Sequence, residues 1–493
     1  MWIRSLALST TLVAAPLALA QPPQAPQPGL PGAAAAGDAQ AAPATPPSPE
    51  AEAREKLKHD ADEAYRQQDF PKAIQLLNQV IKETPNDHVA LYLRASAKVE
   101  EGAAEGKPEL IRDGLADSIA AVKAEGKSRP DYYLPYFFGM SQLSQIEKTL
   151  DHAKAARGVA DGMLKQPLKE DQRSQILYQR ALLNLQMNEN VPAKTDLEES
   201  VKLAPAHQAA WMALADVIAR TEGVDKGLAI FQQAIEKNPR DPMLLNNRGM
   251  FLQSQGRDQE AISDFSKALE VDPKFTVALA NRGYALLNGA QFEAAEIDLT
   301  KALEANPADR GVLSLRAAAR MNVGKLDDAV RDCEEGIKLE PQNPLAYADL
   351  GFAQYAAGNV AGAVKSFSEA QRLGPELPFL LPWRYAAAVA SKSPLPTEAE
   401  GLAQKAKDQR NWFDILTLYL ANQATEQDLK TAIEATPEMY RDSQKSEANC
   451  FIGIKALNAG NRDAAKRAFE QSLKSKATSL SAYRVAKGML SKL

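Results

Sequence analysis

Small and apolar residues recur along this chain with the spacing of paired helices. Between residues 174 and 377 three positions repeat in register. Small residues stand at Ala181, Ala215, Gly249, Gly283, Ala317 and Gly351, and again at Ala193, Gly227, Ala261, Ala295, Ala329 and Ala363. Apolar residues stand at Leu197, Phe231, Phe265, Leu299, Cys333 and Phe367. Polar positions fill the intervals, so each window reads as one amphipathic helix, a turn and a second amphipathic helix. A proline closes each copy, at Pro205, Pro239, Pro273, Pro307, Pro341 and Pro375, each 34 residues after the last. A constant period of that length is one supersecondary unit copied and stacked. Small residues at fixed helical positions let antiparallel helices approach closely, and the large ones fill the gap to the next pair. The proline falls where the next copy's loop opens and a missing N–H costs nothing. Sustained period-two runs of β-branched residues are absent, so the predicted fold class is all-α.

This order of small, small, large and proline resembles the tetratricopeptide repeat. The resemblance implies a right-handed superhelical solenoid of about nine or ten helix-turn-helix units. Six regular units occupy 174–377. Residues 51–173 hold further units, partly degenerate: Phe70, Ala73, Leu77 and Pro85 mark one copy, and Gly102 to Pro108 reads as an insertion. Residues 378–493 form a degenerate module in which Gly453, Gly460, Ala465 and Phe469 recreate the pattern. The last stretch, Ser479 to Leu493, reads as a solvating cap helix, which an open stack requires.

The N-terminus predicts export. Arg4, an apolar stretch from Leu6 to Ala15 and Ala18-Leu19-Ala20 have the form of a signal peptide over residues 1–20. No cysteine follows it, so lipid attachment there has no acceptor. Residues 21–50 are roughly one third proline and one third alanine, the composition of a disordered tether. The expected localisation is periplasmic or secreted, with a retained anchor as the alternative. A net charge of −5 with no basic stripe argues against nucleic-acid binding.

Nothing in the chain reads as catalytic. The four histidines, His59, His88, His152 and His207, fall in separate repeats, and no metal-ligand spacing or nucleophile motif accompanies them. Gly126-Lys127-Ser128 mimics the end of a phosphate-binding loop, but Ala121 stands where the first glycine belongs. No catalytic, cofactor-binding or metal-binding residue is expected. Cys333 takes the place of Phe265 and Leu299 in sibling copies, so it reads as core rather than as a disulfide partner of Cys450.

One correlation inside the chain predicts contacts. Arg180, Arg248, Arg282 and Arg316 share a first-helix position, and Asp196, Asp264, Asp298 and Asp332 follow 16 residues later. Where leucine replaces the arginine, at Leu214 and Leu350, the aspartate is replaced too, by Ile230 and Ser366. The pattern implies a helix-to-helix ion pair within each hairpin, and Arg94 with Asp117 across the insertion. The alternative is a row of arginines lining a site for acidic ligands.

In the resembled family the first helix of each unit lines a concave face. The proline phase then turns Asn246, Asn247, Met250, Gln253, Asn281, Tyr284, Asn288, Met321, Asn322, Phe352 and Tyr355 inward. Amides can bond both N–H and C=O of an extended peptide, while Tyr, Phe and Met give adaptable apolar contact. The same residues could instead pack between neighbouring first helices. The basic members of the carboxylate clamp used by the family's chaperone-tail binders are missing. Between Pro382 and Leu493, Trp383-Arg384-Tyr385, Trp412, Tyr419-Leu420, Glu447 to Gly453, Gly460-Asn461 and Phe469 resemble the terminal module of bacterial envelope tetratricopeptide adaptors, here without a lipidated cysteine. The resemblance implies a non-enzymatic adaptor whose partners are proteins or peptides. A self-assembling or secretion-linked subunit, and a non-catalytic component of a cell-wall- or peptide-processing complex, are the alternatives.

Overall fold

The computed structural model describes residues 48–125, 129–478 and 480–493, without the side chain of Lys407. The expected signal peptide, nearly all of the Pro/Ala-rich tether and Gly126-Lys127-Ser128 lie outside them. The described residues contain helices and no strand. The chain divides after residue 240 into two compact units.

In the unit 48–240, helices pair with their sequence neighbours as hairpins. These are α1 (Pro49–Arg66) with α2 (Phe70–Glu83), α3 (His88–Ala104) with α4 (Pro108–Glu125), and α5 (Leu134–Ile146) with α6 (Asp151–Met163). Then follow α7 (Glu170–Gln186) with α8 (Asn190–Leu203), and α9 (Gln208–Glu222) with α10 (Val224–Lys237). Short polar side chains start several of them: Asp69 accepts from the Lys72 N–H and Asp87 from the Ala90 N–H. The insertion lengthens α3 and α4, and their turn closes at Gly106 with φ +64°.

The unit 241–493 continues with α11 (Pro242–Ser254) and α12 (Asp258–Val271), α13 (Thr276–Asn288) and α14 (Phe292–Ala305), α15 (Arg310–Asn322) and α16 (Leu326–Leu339), then α17 (Pro344–Ala356) and α18 (Val360–Leu373). A less regular run follows: α19 (Leu380–Ser391), short 3₁₀ turns, α20 (Trp412–Leu420) and α21 (Glu426–Glu434). The last hairpin is α22 (Glu438–Asn458) with α23 (Arg462–Ser472), and α24 (Ser481–Leu490) ends the chain.

The small and large positions of the repeat meet as steric complements. A Cβ added at Gly351 would sit 2.5 Å from the Phe367 ring, at Gly249 2.6 Å from Phe265, and at Gly453 2.5 Å from Phe469. Any side chain there would push the two helices apart, and the third case makes α22–α23 a copy of the same hairpin. The C-terminal aromatics belong to this packing too. Trp383 lies 5.2 Å from Phe352 and 4.6 Å from Phe451 between ring centroids, and all three are buried in one core.

The arginines and aspartates form bidentate pairs. Arg180 Nε and Nη2 donate to Asp196 at 2.9 and 2.6 Å, Arg248 to Asp264 at 2.6 and 2.8 Å, Arg282 to Asp298 at 2.7 and 2.9 Å, and Arg316 to Asp332 at 3.1 and 2.7 Å. Arg94 holds Asp117 in the same way at 2.8 and 2.7 Å. All five aspartates are buried, so the second helix of each hairpin is tied to the first through a desolvated charge.

One expectation is overturned. The end of the chain is not a solvating cap: α24 turns back and packs on α15, α17, α22 and α23. Its sequence explains why. Ala482, Val485, Ala486 and Met489 fall at i, i+3, i+4 and i+7, an apolar stripe that a cap would leave in water. Ala482, Val485 and Ala486 are at most 2% exposed.

Candidate functional site

In the unit 241–493, α24 lies on the first helices of the hairpins, the face from which the sequence-predicted residues project. Tyr284, Asn288 and Asn322 border a cavity of about 10 Å³ whose opposite wall is Thr478 and Arg484. Met321, Phe352 and Tyr355 share one apolar core with Ala482, Val485 and Ala486. The remaining predicted residues are not brought to α24. Asn246, Asn247 and Asn281 are buried, with Asn281 Nδ2 donating to Asn246 Oδ1 at 2.9 Å between α11 and α13. Met250 and Gln253 are half-buried. The expected open amide ladder is therefore corrected: part of it is an interhelical hydrogen bond, and part is covered by the chain's own last helix.

The polar groups around α24 are poorly matched. Arg484 is 3% exposed; its Nη2 donates to Ser481 Oγ at 3.3 Å, and its Nε has no partner. Burial lowers its affinity for the proton, a shift opposed by the nearby Asp349 carboxylate. Burial pushes Asp349 the other way, upward, against the Ser314 hydroxyl that donates to it at 2.6 Å. Glu447 borders a second cavity, of about 30 Å³, with Leu480 and Ala482. Burial pushes Glu447 up to about 7, although Trp412 Nε1 donates to it at 2.7 Å. Cys333 and Cys450 are free, buried thiols, both pushed up by burial and therefore unreactive.

The unit 48–240 carries an open cleft that the sequence reading did not single out. It has a volume of about 570 Å³ and is walled by α5, α7 and the start of α9. Phe138 and Leu182 give it apolar surface, and Gln142, Gln145, Gln175 and Gln179 line it with amides that make no hydrogen bond within the described chain. No Asp, Glu, Lys or Arg lines it. Its one titratable base, His207, is held by burial down to about 4, its Nδ1 3.0 Å from Ser174 Oγ. The cleft is thus neutral across the physiological range. Because the unfolded imidazole takes a proton near 6.5 and the folded one only near 4, this group makes the fold lose stability as pH falls through that window. Replacing His207 with phenylalanine is expected to remove that part of the acid sensitivity, read from urea midpoints between about pH 7 and pH 4. The signal that could have revealed the cleft is the pair of glutamine spacings, three on α5 and four on α7, each a single helix face.

Among the described residues no group of three or more His, Cys, Asp or Glu is placed to hold a metal ion, and no helix is long and apolar enough to cross a membrane. Within each unit the described residues form helical hairpins that pack on their sequence neighbours. The tetratricopeptide repeat profiles match residues 60–112, 178–242, 242–275, 277–309 and 314–378, together about half of the sequence. The chain belongs to the tetratricopeptide repeat family. No curated protein matches it. Among solved structures it is similar to PilW, described as a widely conserved type IV pilus biogenesis factor, at 26% identity over 41% of this chain and 96% of that one, TM-score 0.36. It is also similar to Pseudomonas aeruginosa PilF at 21% identity, over 42% of this chain and 94% of that one, TM-score 0.35. A tetratricopeptide repeat protein from Parabacteroides merdae matches at 19% identity, over 50% and 99%, TM-score 0.38.

Proposed function

We propose that the chain is an exported, non-enzymatic scaffold that binds an extended, uncharged segment of a partner protein in the cleft of the unit 48–240. The observation that carries this reading is the cleft itself: four unbonded glutamine amides on two neighbouring helices, with apolar floor and no formal charge. An extended peptide exposes N–H and C=O groups that need partners when covered, and primary amides supply both. A carboxylate or phosphate ligand would find no cation there. Export rests on the form of residues 1–20, and an adaptor role in the envelope on the resemblance of the C-terminal module.

A displayed library of peptides about eight to ten residues long, selected on the purified chain, tests the reading. Neutral sequences are expected to be enriched, and Gln142→Ala with Gln175→Ala to weaken their binding about tenfold while melting is unchanged. Gln175→Glu should shift the selection toward basic peptides. Selection without preference, or the same preference in the Gln175→Glu chain, would overturn the cleft assignment.

A further inference from the structure

The junction between the hairpins α13–α14 and α15–α16 opens as a furrow of about 510 Å³, and none of its walls belongs to α24 or to the glutamine cleft. Leu303 near the end of α14 and Leu313 on α15 are buried in its floor, while Leu339, at the end of α16, is 43% exposed on its wall. The repeat explains why the furrow is open here. Its edge carries Ala308, where the two preceding copies and the following one carry Arg240, Lys274 and Gln342, side chains long enough to overhang such a floor. Apolar surface left uncovered and rimmed by polar residues is the form of a protein contact site.

The charges at the furrow call for a cation. Glu304 on α14 and Glu335 on α16 border it, and both are exposed. At the neighbouring junctions the same two positions carry opposite signs: Glu236 with Lys267, Glu270 with Lys301, and Lys338 with Glu369. Here both are carboxylates. Glu304 makes no hydrogen bond or ion pair within the described chain, and Glu335 holds Lys338 at 2.6 Å in an exposed contact of small worth. Arg316 lines the furrow as well, with Nε and Nη2 held by Asp332 and Nη1 left without a partner. In other copies that third nitrogen is used: Arg94 Nη1 donates to Asn78, Arg180 Nη1 to Asp161 and Arg282 Nη1 to Ser266. The counterpart of Ser266 is Thr300, which lines the furrow but accepts nothing from Arg316. A donor fixed in place, its charge already matched by Asp332, favours a neutral carbonyl over a further carboxylate, which Glu304 and Glu335 would repel.

We propose that the furrow docks a short linear segment of a partner protein in which an apolar residue is flanked by lysine or arginine. The apolar side chain covers Leu303, Leu313 and Leu339, a backbone carbonyl accepts from Arg316 Nη1, and the flanking cations meet Glu304 and Glu335. The furrow belongs to a different unit from the glutamine cleft and selects basic rather than neutral segments, so either reading can fail alone.

Photocrosslinking on the intact chain tests the proposal. The probe is a capped peptide, Lys-Lys-Leu-Lys-Lys, whose leucine is replaced by its diazirine analogue. Mass spectrometry is expected to place the crosslink within residues 300–339. Ala308→Arg, which gives this junction the side chain that Arg240 supplies at another, should cut labelling at least ~10-fold with melting unchanged. Glu304→Lys, matching its counterpart Lys338, should cut labelling about threefold at low salt and by less at high salt. The corresponding probe with glutamates in place of the lysines should not label the furrow. No labelling, labelling confined to residues outside 300–339, equal labelling of the Ala308→Arg chain, or equal labelling by the acidic probe would each overturn the proposal.

Discussion

Replacing Arg282 with leucine is expected to destabilise the chain by about 3 kcal/mol or more, and adding Asp298→Ile to the same chain to restore most of that loss. Asp298 is 3% exposed, and its two oxygens accept from Arg282 Nε and Nη2. Removing the arginine strands a buried carboxylate, which costs far more than the pair contributes when intact. The double variant reproduces what the chain already does elsewhere, where Leu214 stands with Ile230 in the corresponding places. The opposite single change, Asp298→Ile, should cost less, because Arg282 keeps a solvent edge and donates to Ser266 Oγ at 3.1 Å. Urea unfolding of the four chains gives the coupling energy directly. Equal midpoints for Arg282→Leu and the double variant would show that the two side chains do not act as a unit.

That coupling was legible in sequence because it repeats. Four copies keep arginine and aspartate together and two lose them together, so contact could be inferred without coordinates. The hairpins were legible for the same reason: a glycine or alanine facing a phenylalanine or leucine at a constant offset is one steric device written five times, with Cys333 in the large position of a sixth copy. What could not be read was non-periodic. α24 belongs to no repeat, and its apolar stripe is compatible with capping one end of a stack or with folding back across it. Only tertiary packing against Phe352 and Tyr355 decides between these. The glutamine cleft escaped notice because Gln142 stands in the degenerate units, outside the columns aligned by the prolines, and Gln179, although it shares the column of Asn247 and Asn281, stands in the first regular unit, outside the central units from which the inward-facing residues were chosen. The Asn246–Asn281 hydrogen bond shows a further limit. An amide on the inward face of a first helix can serve its neighbouring helix as well as a ligand, and periodicity alone assigns it to neither.

The groove's own titration adds a last expectation, on pH. Glu447 ionises near 4.5 in the unfolded chain and near 7 where it is buried beside Leu480 and Ala482. The folded state therefore holds its proton longer, so the contribution of this group is complete below about pH 4.5 and is lost as pH rises through about 7. The full difference would be about 3 kcal/mol; the edge that Glu447 keeps on its cavity reduces the expectation to about 2 kcal/mol. Glu447→Gln keeps an acceptor for Trp412 Nε1 and removes the charge. It is expected to leave stability nearly unchanged at about pH 4.5 and raise it at about pH 8 by that amount, measured by denaturant unfolding. Asp349, also pushed up by burial and also facing α24, works in the same direction and should leave a residual slope in the variant. Both carboxyls face α24, so alkaline conditions should weaken its docking before the hairpins themselves. If Glu447→Gln lowers stability at both pH values instead, the carboxylate is stabilised where it stands, and the ionised state belongs to the closed groove.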